Sequence, residues 1–382
     1  MKKTTLSITI LILLSIISCK KNDRTISNLT EQQNVFKEFW DIYDKHYPLF
    51  HRKNINWQSS YNTYYNQITT NTTDDQLFEI FNTIMTKVIK DGHTDIIYNN
   101  NRESIYMPSF NENVFTMVKN NTASKVNIVP SSANNPYISY GTLVSNSNIG
   151  YINSKSFEPI NENESEFNNF KVIVDEALTA LQGKVGIILD IRTNGGGQPH
   201  YAYYLAGRFL TTSTPIELIR QRIKTTTGSG VEALGNWATE FFEGYQDLRA
   251  EGGYIAGIFP ELNTINKSGN FQFTNKVALL TSNGTASAAE HFTAALKTQN
   301  HVITIGDKTF GIFAGSDILT LTNGNKKWKT RVSTHDVEVI YNGSFQSFEG
   351  IGITPDSLLI PSSTQISAGE DIHLISAINY IN

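Results

Sequence analysis

Three groups of residues in this 382-residue chain have the types and spacing that chemistry needs. The first is Thr281 to Glu290, reading Thr-Ser-Asn-Gly-Thr-Ala-Ser-Ala-Ala-Glu. An apolar run, Lys276 to Leu280, precedes it, and Ala288, Ala289, Phe292, Ala295 and Leu296 follow at helical spacing, so Ser287 sits where a strand turns into a helix. Small neighbours at 284, 286 and 288 leave its hydroxyl uncovered. The unpaired N–H groups of a helix start would stabilise the oxyanion formed when a serine attacks a carbonyl. The same position also suits a plain N-cap serine, and this stretch alone does not separate the two.

The second group is Asp190-Ile-Arg-Thr-Asn-Gly-Gly-Gly197, directly after the buried apolar run Val185 to Leu189. Consecutive glycines let a backbone approach a ligand closely and aim N–H groups at it, as an oxyanion hole requires. A phosphate loop is the competing reading, but the Gly-Lys-Ser/Thr ending and dinucleotide spacing are missing. Asp190 and Arg192 read as a structural ion pair. The third group is Lys90-Asp-Gly-His-Thr94. It places His93 at a break after a helical pattern, where an imidazole titrating near neutral pH is available for proton transfer or is simply a turn residue.

The surrounding patterns have to hold these groups together. Upstream of His93 are three amphipathic stretches: one marked by Phe36, Phe39, Trp40 and Tyr43, one by Trp57, Tyr61, Tyr64 and Tyr65, and one by Leu77, Ile80, Phe81, Ile84 and Val88 behind a Thr73/Gln76 capping box. They predict a small helical bundle. Residues 99–140 read as short strands and loops, including Val114 to Val118 and Val126 to Val129. From Ile149 strands alternate with helices, with helices expected over Phe167 to Leu181, His200 to Leu210 and around Trp237 to Leu248. Asn323-Gly324 and Asn342-Gly343 predict hairpin turns, and a short helix closes the chain after Gly369. The fold class is therefore α/β, with a helical bundle in front.

Net charge is −4, or −6 without Lys2 and Lys3, and no basic patch points to nucleic acid. Two lysines followed by an apolar run from Leu6 to Ile17 are organised like a secretory signal. Ile16-Ile17-Ser18-Cys19 resembles the bacterial lipobox, so Cys19, the only cysteine, is the expected lipidation site. No histidine pair has zinc-ligand spacing, and no metal or cofactor is expected.

Taken together, the Asp190-to-Gly197 loop, the Thr285-to-Glu290 turn, Gly306 with Thr309-Phe310-Gly311, and Gly350-to-Asp356 resemble the tail-specific or C-terminal processing serine proteases. Their tricorn-core and interphotoreceptor retinoid-binding relatives share the pattern. The motifs fall in family order over roughly residues 145 to 360, and Asp91-Gly-His-Thr94 extends the match upstream.

The resemblance implies a crotonase- or ClpP-like core of β-β-α units. It implies Ser287 as nucleophile, with oxyanion donors from Ala288 and from Gly196 or Gly197. The lysine of the processing proteases corresponds to Ile312 here, which cannot take a proton, and Lys308 lies in a place the family does not use. The tricorn-like branch uses a histidine instead, which implies His93 as general base and Glu349 as the acid behind it, with Asp91 a rival. The second serine of that branch is replaced by Gly92, and no PDZ module fits in the connecting chain.

Expected boundaries are a signal peptide over 1–18, a tether over 19–30, the bundle over 31–97, a β-rich connection over 98–145 and the protease core over 146–382. The expected function is a lipid-anchored serine endopeptidase of the cell envelope, acting on peptides or unfolded protein. The alternative is a non-catalytic ligand- or peptide-binding protein on the same scaffold.

Overall fold

The computed structural model describes residues 29–107, 112–159, 164–237 and 263–382. The expected signal peptide, Cys19 and nearly all of the helix expected around Trp237 to Leu248 lie outside these residues. Among the described residues, no helix is long and apolar enough to cross a membrane.

Helices α1 (Glu31–His46), α2 (Trp57–Tyr65) and α3 (Asp74–Thr83) form the expected bundle. Capping boxes start two of them, Thr30 with Gln33 and Thr73 with Gln76, which satisfies N–H groups that would otherwise be orphaned. α3 passes into a π-helical turn, Ile84–Ile89, which Lys90 ends in the left-handed conformation at φ 49°. The chain then crosses the His93 turn into a hairpin of β1 (Asp95–Tyr98) and β2 (Arg102–Ile105).

Helix α4 (Glu112–Lys125) contains Val114 to Val118, which sequence patterning assigned to a strand. Val114, Met117 and Val118 are buried while Phe115 is partly exposed, a helical spacing that a five-residue window read as continuous apolar character. β3 (Val126–Ile128) and β4 (Ile138–Leu143) then join the main sheet, so that sheet begins upstream of residue 146. Gly141 permits their pairing, since a Cβ there would stand 2.0 Å from the Asn127 carbonyl oxygen.

The main sheet continues through β5 (Ile149–Ser154), α5 (Glu164–Leu181), β6 (Gly186–Asp190) and α6 (Pro199–Gly207). Short strands β7 (Ile216–Glu217), β8 (Ile219–Arg222) and β9 (Thr264–Ile265) lead to β10 (Lys276–Thr281), α7 (Ala288–Lys297) and β11 (Val302–Gly306). Beyond these lie β12 (Ser316–Thr320), β13 (Trp328–Ser333), β14 (Asp336–Tyr341), β15 (Ser344–Gln346) and β16 (Ser357–Leu358). Helices α8 (Ser363–Ser367) and α9 (Ile372–Ile381) finish the fold.

Strand order in the seven-stranded sheet is β16-β11-β10-β6-β5-β4-β3, parallel from β5 to β16 and antiparallel at β3 and β4. Parallel strands covered on both faces read as near-continuous apolar runs, which β6 shows from Gly186 to Leu189 and β10 from Val277 to Leu280. Helices α5, α6 and α7 cover one face and α9 the other. A four-stranded sheet, β12-β13-β1-β2, backs the helical bundle, and Leu319, Trp328 and Val332 share its core with Phe36, Phe39 and Phe81. Asn342 and Gly343 form the expected tight hairpin turn at φ 49° and 79°. At Asn323-Gly324 the link is longer, with a 3₁₀ turn over Gly324–Lys326.

Candidate active site

Strand β10 ends among buried polar groups that fix the next turn. Thr285 Oγ1 donates to the Ile191 carbonyl at 3.0 Å, and the Ala286 N–H to the Asn194 carbonyl at 3.1 Å. Ser287 then takes φ 54° and ψ −124°, a conformation non-glycine residues rarely adopt, before α7 begins. Glu290 holds this turn. Its carboxylate accepts the Ser287 N–H at 3.1 Å, the Thr309 hydroxyl at 2.6 Å, and the Gly311 and Ile312 N–H groups at 2.8 Å each. Burial pushes the Glu290 carboxyl up to about 8, while the Thr309, Ile312 and Gly311 donors favour its charged form. The Thr-Phe-Gly stretch is thus tied to the serine turn by one side chain.

The glycine loop passes directly over Ser287. A Cβ on Gly196 would stand 2.7 Å from the Ser287 Cβ, so only glycine allows the approach, at φ 102°. The Gly196 N–H is already given to Asn194 Oδ1 at 2.9 Å. Gly197, at φ 126°, and Ala288 have N–H groups with no protein acceptor among the described residues. Beneath the loop, Arg192 is fully buried between Asp190, at 2.6 Å, and Asp371, at 2.8 Å, the structural pair expected from sequence with one more acid.

Across a cleft of about 670 Å³ from Ser287 lies His93, and both side chains line it with Gly197, Ala288, Phe310 and Ile312. Burial lowers the His93 imidazole below its ordinary range, opposed by the negative charge of Asp91 and by the Ala314 carbonyl against the ring. His93 Nδ1 is buried with no hydrogen-bond partner.

Asp91 does not orient the ring. It accepts the His93 backbone N–H at 2.8 Å, the Tyr47 phenol at 2.9 Å and the Ser333 hydroxyl at 3.1 Å, so it fixes the turn rather than the imidazole. Gly92 also has a local cause, because a Cβ there would meet Phe310 Cζ at 3.0 Å.

Glu349 lies behind the cleft. Its Oε2 accepts the Phe313 N–H at 2.8 Å, Oε1 has no hydrogen-bond partner, and Lys53 Nζ stands 3.6 Å away. Burial and then the Asp91 charge raise its carboxyl, while the Phe313 and Ala314 amides favour the charged form. Glu349 thus anchors the segment whose Ala314 carbonyl faces His93, and no hydrogen bond joins the two side chains.

Two further histidines line the cleft and were not singled out from sequence. His291 follows Ser287 by four positions, a spacing that puts both on one helix face and was a readable signal. Its Nδ1 is 3.4 Å from the Tyr203 hydroxyl and its Nε2 3.3 Å from the Phe313 carbonyl, and burial lowers it to about 4. Burial likewise lowers His335 to about 4, with Nδ1 3.0 Å from Thr334 Oγ1. Both are held neutral as structural groups.

Residues 148–359 match the profile of peptidase family S41. The chain belongs to that family. Residues 29–86 match the tricorn protease C1 domain, which covers the helical bundle of this S41 peptidase. A comparison with curated protein sequences gives no match.

Among solved structures, a candidate peptidase from Parabacteroides merdae shares 23% identity at a TM-score of 0.71, over 92% of this chain and 97% of its own. Mature CPAF in complex with lactacystin aligns at 11% identity and TM-score 0.58, over 92% and 98%. A lipoprotein from Streptococcus agalactiae aligns at 16% identity and TM-score 0.52, over 92% and 96%. At these identities the structures establish the shared fold, and the family match establishes a serine-type peptidase.

Proposed function

We propose that this S41 peptidase is a lipid-anchored endopeptidase of the cell envelope that works with a serine and a histidine, in the manner of the tricorn-like branch. The observation that carries the reading is the shared cleft, with Ser287 on a strained turn and His93 offering a buried, unpaired Nδ1. Ser287 Oγ attacks the substrate carbonyl while His93 takes the hydroxyl proton, and the oxyanion is held by the Ala288 and Gly197 N–H groups. The bond of the Gly196 N–H to Asn194 supports Gly197 as the loop's donor. His93 then returns the proton to the leaving amine, and water activated by the same imidazole releases the acyl group. Glu349 acts through the Ala314 segment rather than by touching the ring. Ile312 in the cleft excludes a lysine dyad at that position.

A fluorophosphonate probe should label the wild-type protein and spare Ser287→Ala. Absence of labelling in folded protein would overturn the assignment. For the anchor, Cys19 in its lipobox-like setting is the support, together with a similar fold in a neighbour described as a lipoprotein. Incorporation of labelled fatty acid should vanish in Cys19→Ala. The rival reading, a peptide-binding protein without turnover, draws on Ile312 and Gly92; stoichiometric binding of unfolded protein without cleavage would favour it.

A further inference from the structure

Strand β12 is an edge of the four-stranded sheet, and among the described residues no strand pairs with its outer side. Which of its backbone groups face outward follows from two hydrogen bonds. The Thr334 N–H donates to the Gly315 carbonyl at 2.9 Å, and the Leu321 N–H to the Trp328 carbonyl at 2.9 Å. In an antiparallel ladder alternate residues bond to the same neighbour, so Gly315, Asp317, Leu319 and Leu321 turn toward β13. Ser316, Ile318 and Thr320 therefore present their N–H and C=O groups to the open edge. The other side of β13 agrees, because Lys327 there accepts from the Asn99 N–H at 2.8 Å, in phase with Arg331 opposite Asp95.

That open edge borders the cleft of Ser287. Gly315, Ser316, Asp317 and Ile318 line the cleft as four consecutive residues. A cleft lying on one face of a strand would meet only every second residue, so this one runs along the strand's edge. Gly195 and Gly197 of the glycine loop line the same cleft. Ile318 is 40% exposed on this edge, and the strand has no outward lysine or proline of the kind that usually protects such edges.

We propose that the substrate polypeptide binds as an added strand on β12, pairing its backbone with the N–H and C=O groups of Ser316 and Ile318, so that an extended segment is drawn past Ser287. Recognition is then largely of main chain, and unfolded or extended protein is the substrate class. This rests on the peptidase reading above, and the test keeps the two apart.

Proline at 318 removes one outward N–H while leaving every bond to β13 intact, a position where edge strands tolerate it. Ile318→Pro should keep fluorophosphonate labelling of Ser287 and lose about tenfold in kcat/KM on an unfolded casein-like substrate, mainly through KM. Unchanged KM in a folded, labelled variant overturns the proposal.

A second arm needs no variant. Peptides N-methylated at successive positions should lose turnover by the wild type in an alternating pattern, every second position being sensitive. A flat or monotonic pattern overturns it as well. If Ile318→Pro instead converts a dimer to a monomer without affecting KM, the edge belongs to a second copy of the chain and the proposal falls. Failure of wild-type labelling would sink the peptidase reading while leaving the alternating pattern measurable as peptide binding.

Discussion

The two walls of the cleft are built on different principles. On the serine wall the side chains that shape the turn are paired: Glu290 takes four donors, Asn194 takes the Gly196 N–H, and Thr285 is tied to Ile191. On the histidine wall, His93 Nδ1 and Glu349 Oε1 are buried with no hydrogen-bond partner, and the nearest cation to that oxygen is Lys53 Nζ at 3.6 Å. A strained serine turn persists only if its surroundings over-determine it, which the first wall does. The second wall keeps proton-accepting capacity unspent, which a general base requires. Preorganisation sits with the Ser287 turn, proposed above as nucleophile, and unspent proton-accepting capacity with His93, proposed as its base.

The largest effect that would break this contrast comes from Ser287→Ala, which should lower peptide turnover by roughly 10⁴-fold with an unchanged melting temperature. A comparable rate in the variant would mean that the ordered wall holds no nucleophile. His93→Ala should cost about 10²- to 10⁴-fold in kcat at neutral pH while leaving the fold intact. If it unfolds the protein instead, His93 belongs to the structural side of the comparison.

Glu290→Ala strips four donors of their acceptor and should destabilise by at least about 3 kcal/mol in denaturant titration, with activity lost together with structure. Gly92→Ser places a side chain against Phe310 and should cost about 1–3 kcal/mol. A gain in activity there would show that the missing hydroxyl, and not the local packing, limits the relay.

The smallest effect is in pH. Burial favours neutral His93, so kcat/KM should rise with pH to a plateau reached through a midpoint below the ordinary histidine value of about 6.5. His291, at about 4 in the fold, contributes stability that is present above the unfolded value and is lost as pH falls from about 6.5 toward 4. Replacing it by Phe should flatten the acid side of the stability profile, measured by thermal melting across that window.

Much of this architecture was readable from residue types. The capping boxes at Thr30 and Thr73, the buried runs of β6 and β10, and the glycines at 196 and 197 each report a local requirement that sequence carries openly. Which glycine N–H is already spent was not readable, because it turns on Asn194 folding back within its own loop to take that of Gly196. Helix α4 was obscured because its apolar residues are few and adjacent. The roles of Asp91 and Glu349 were equally hidden. Both depend on groups far along the chain, Ser333 for one and Phe313 for the other. Local pattern reports local partners, and these two acids have distant ones.

The bundle that carries His93 completes its interior with Leu319, Trp328 and Val332, and the Tyr43 phenol reaches the Arg331 carbonyl at 2.9 Å. During synthesis, therefore, the first hundred residues leave the ribosome without the strands that seal them. A polypeptide stopped short of residue 333 has its helices but no finished floor beneath them. Nascent chains should stay incompetent until almost the whole length is made, so hydrolytic power arrives late and all at once.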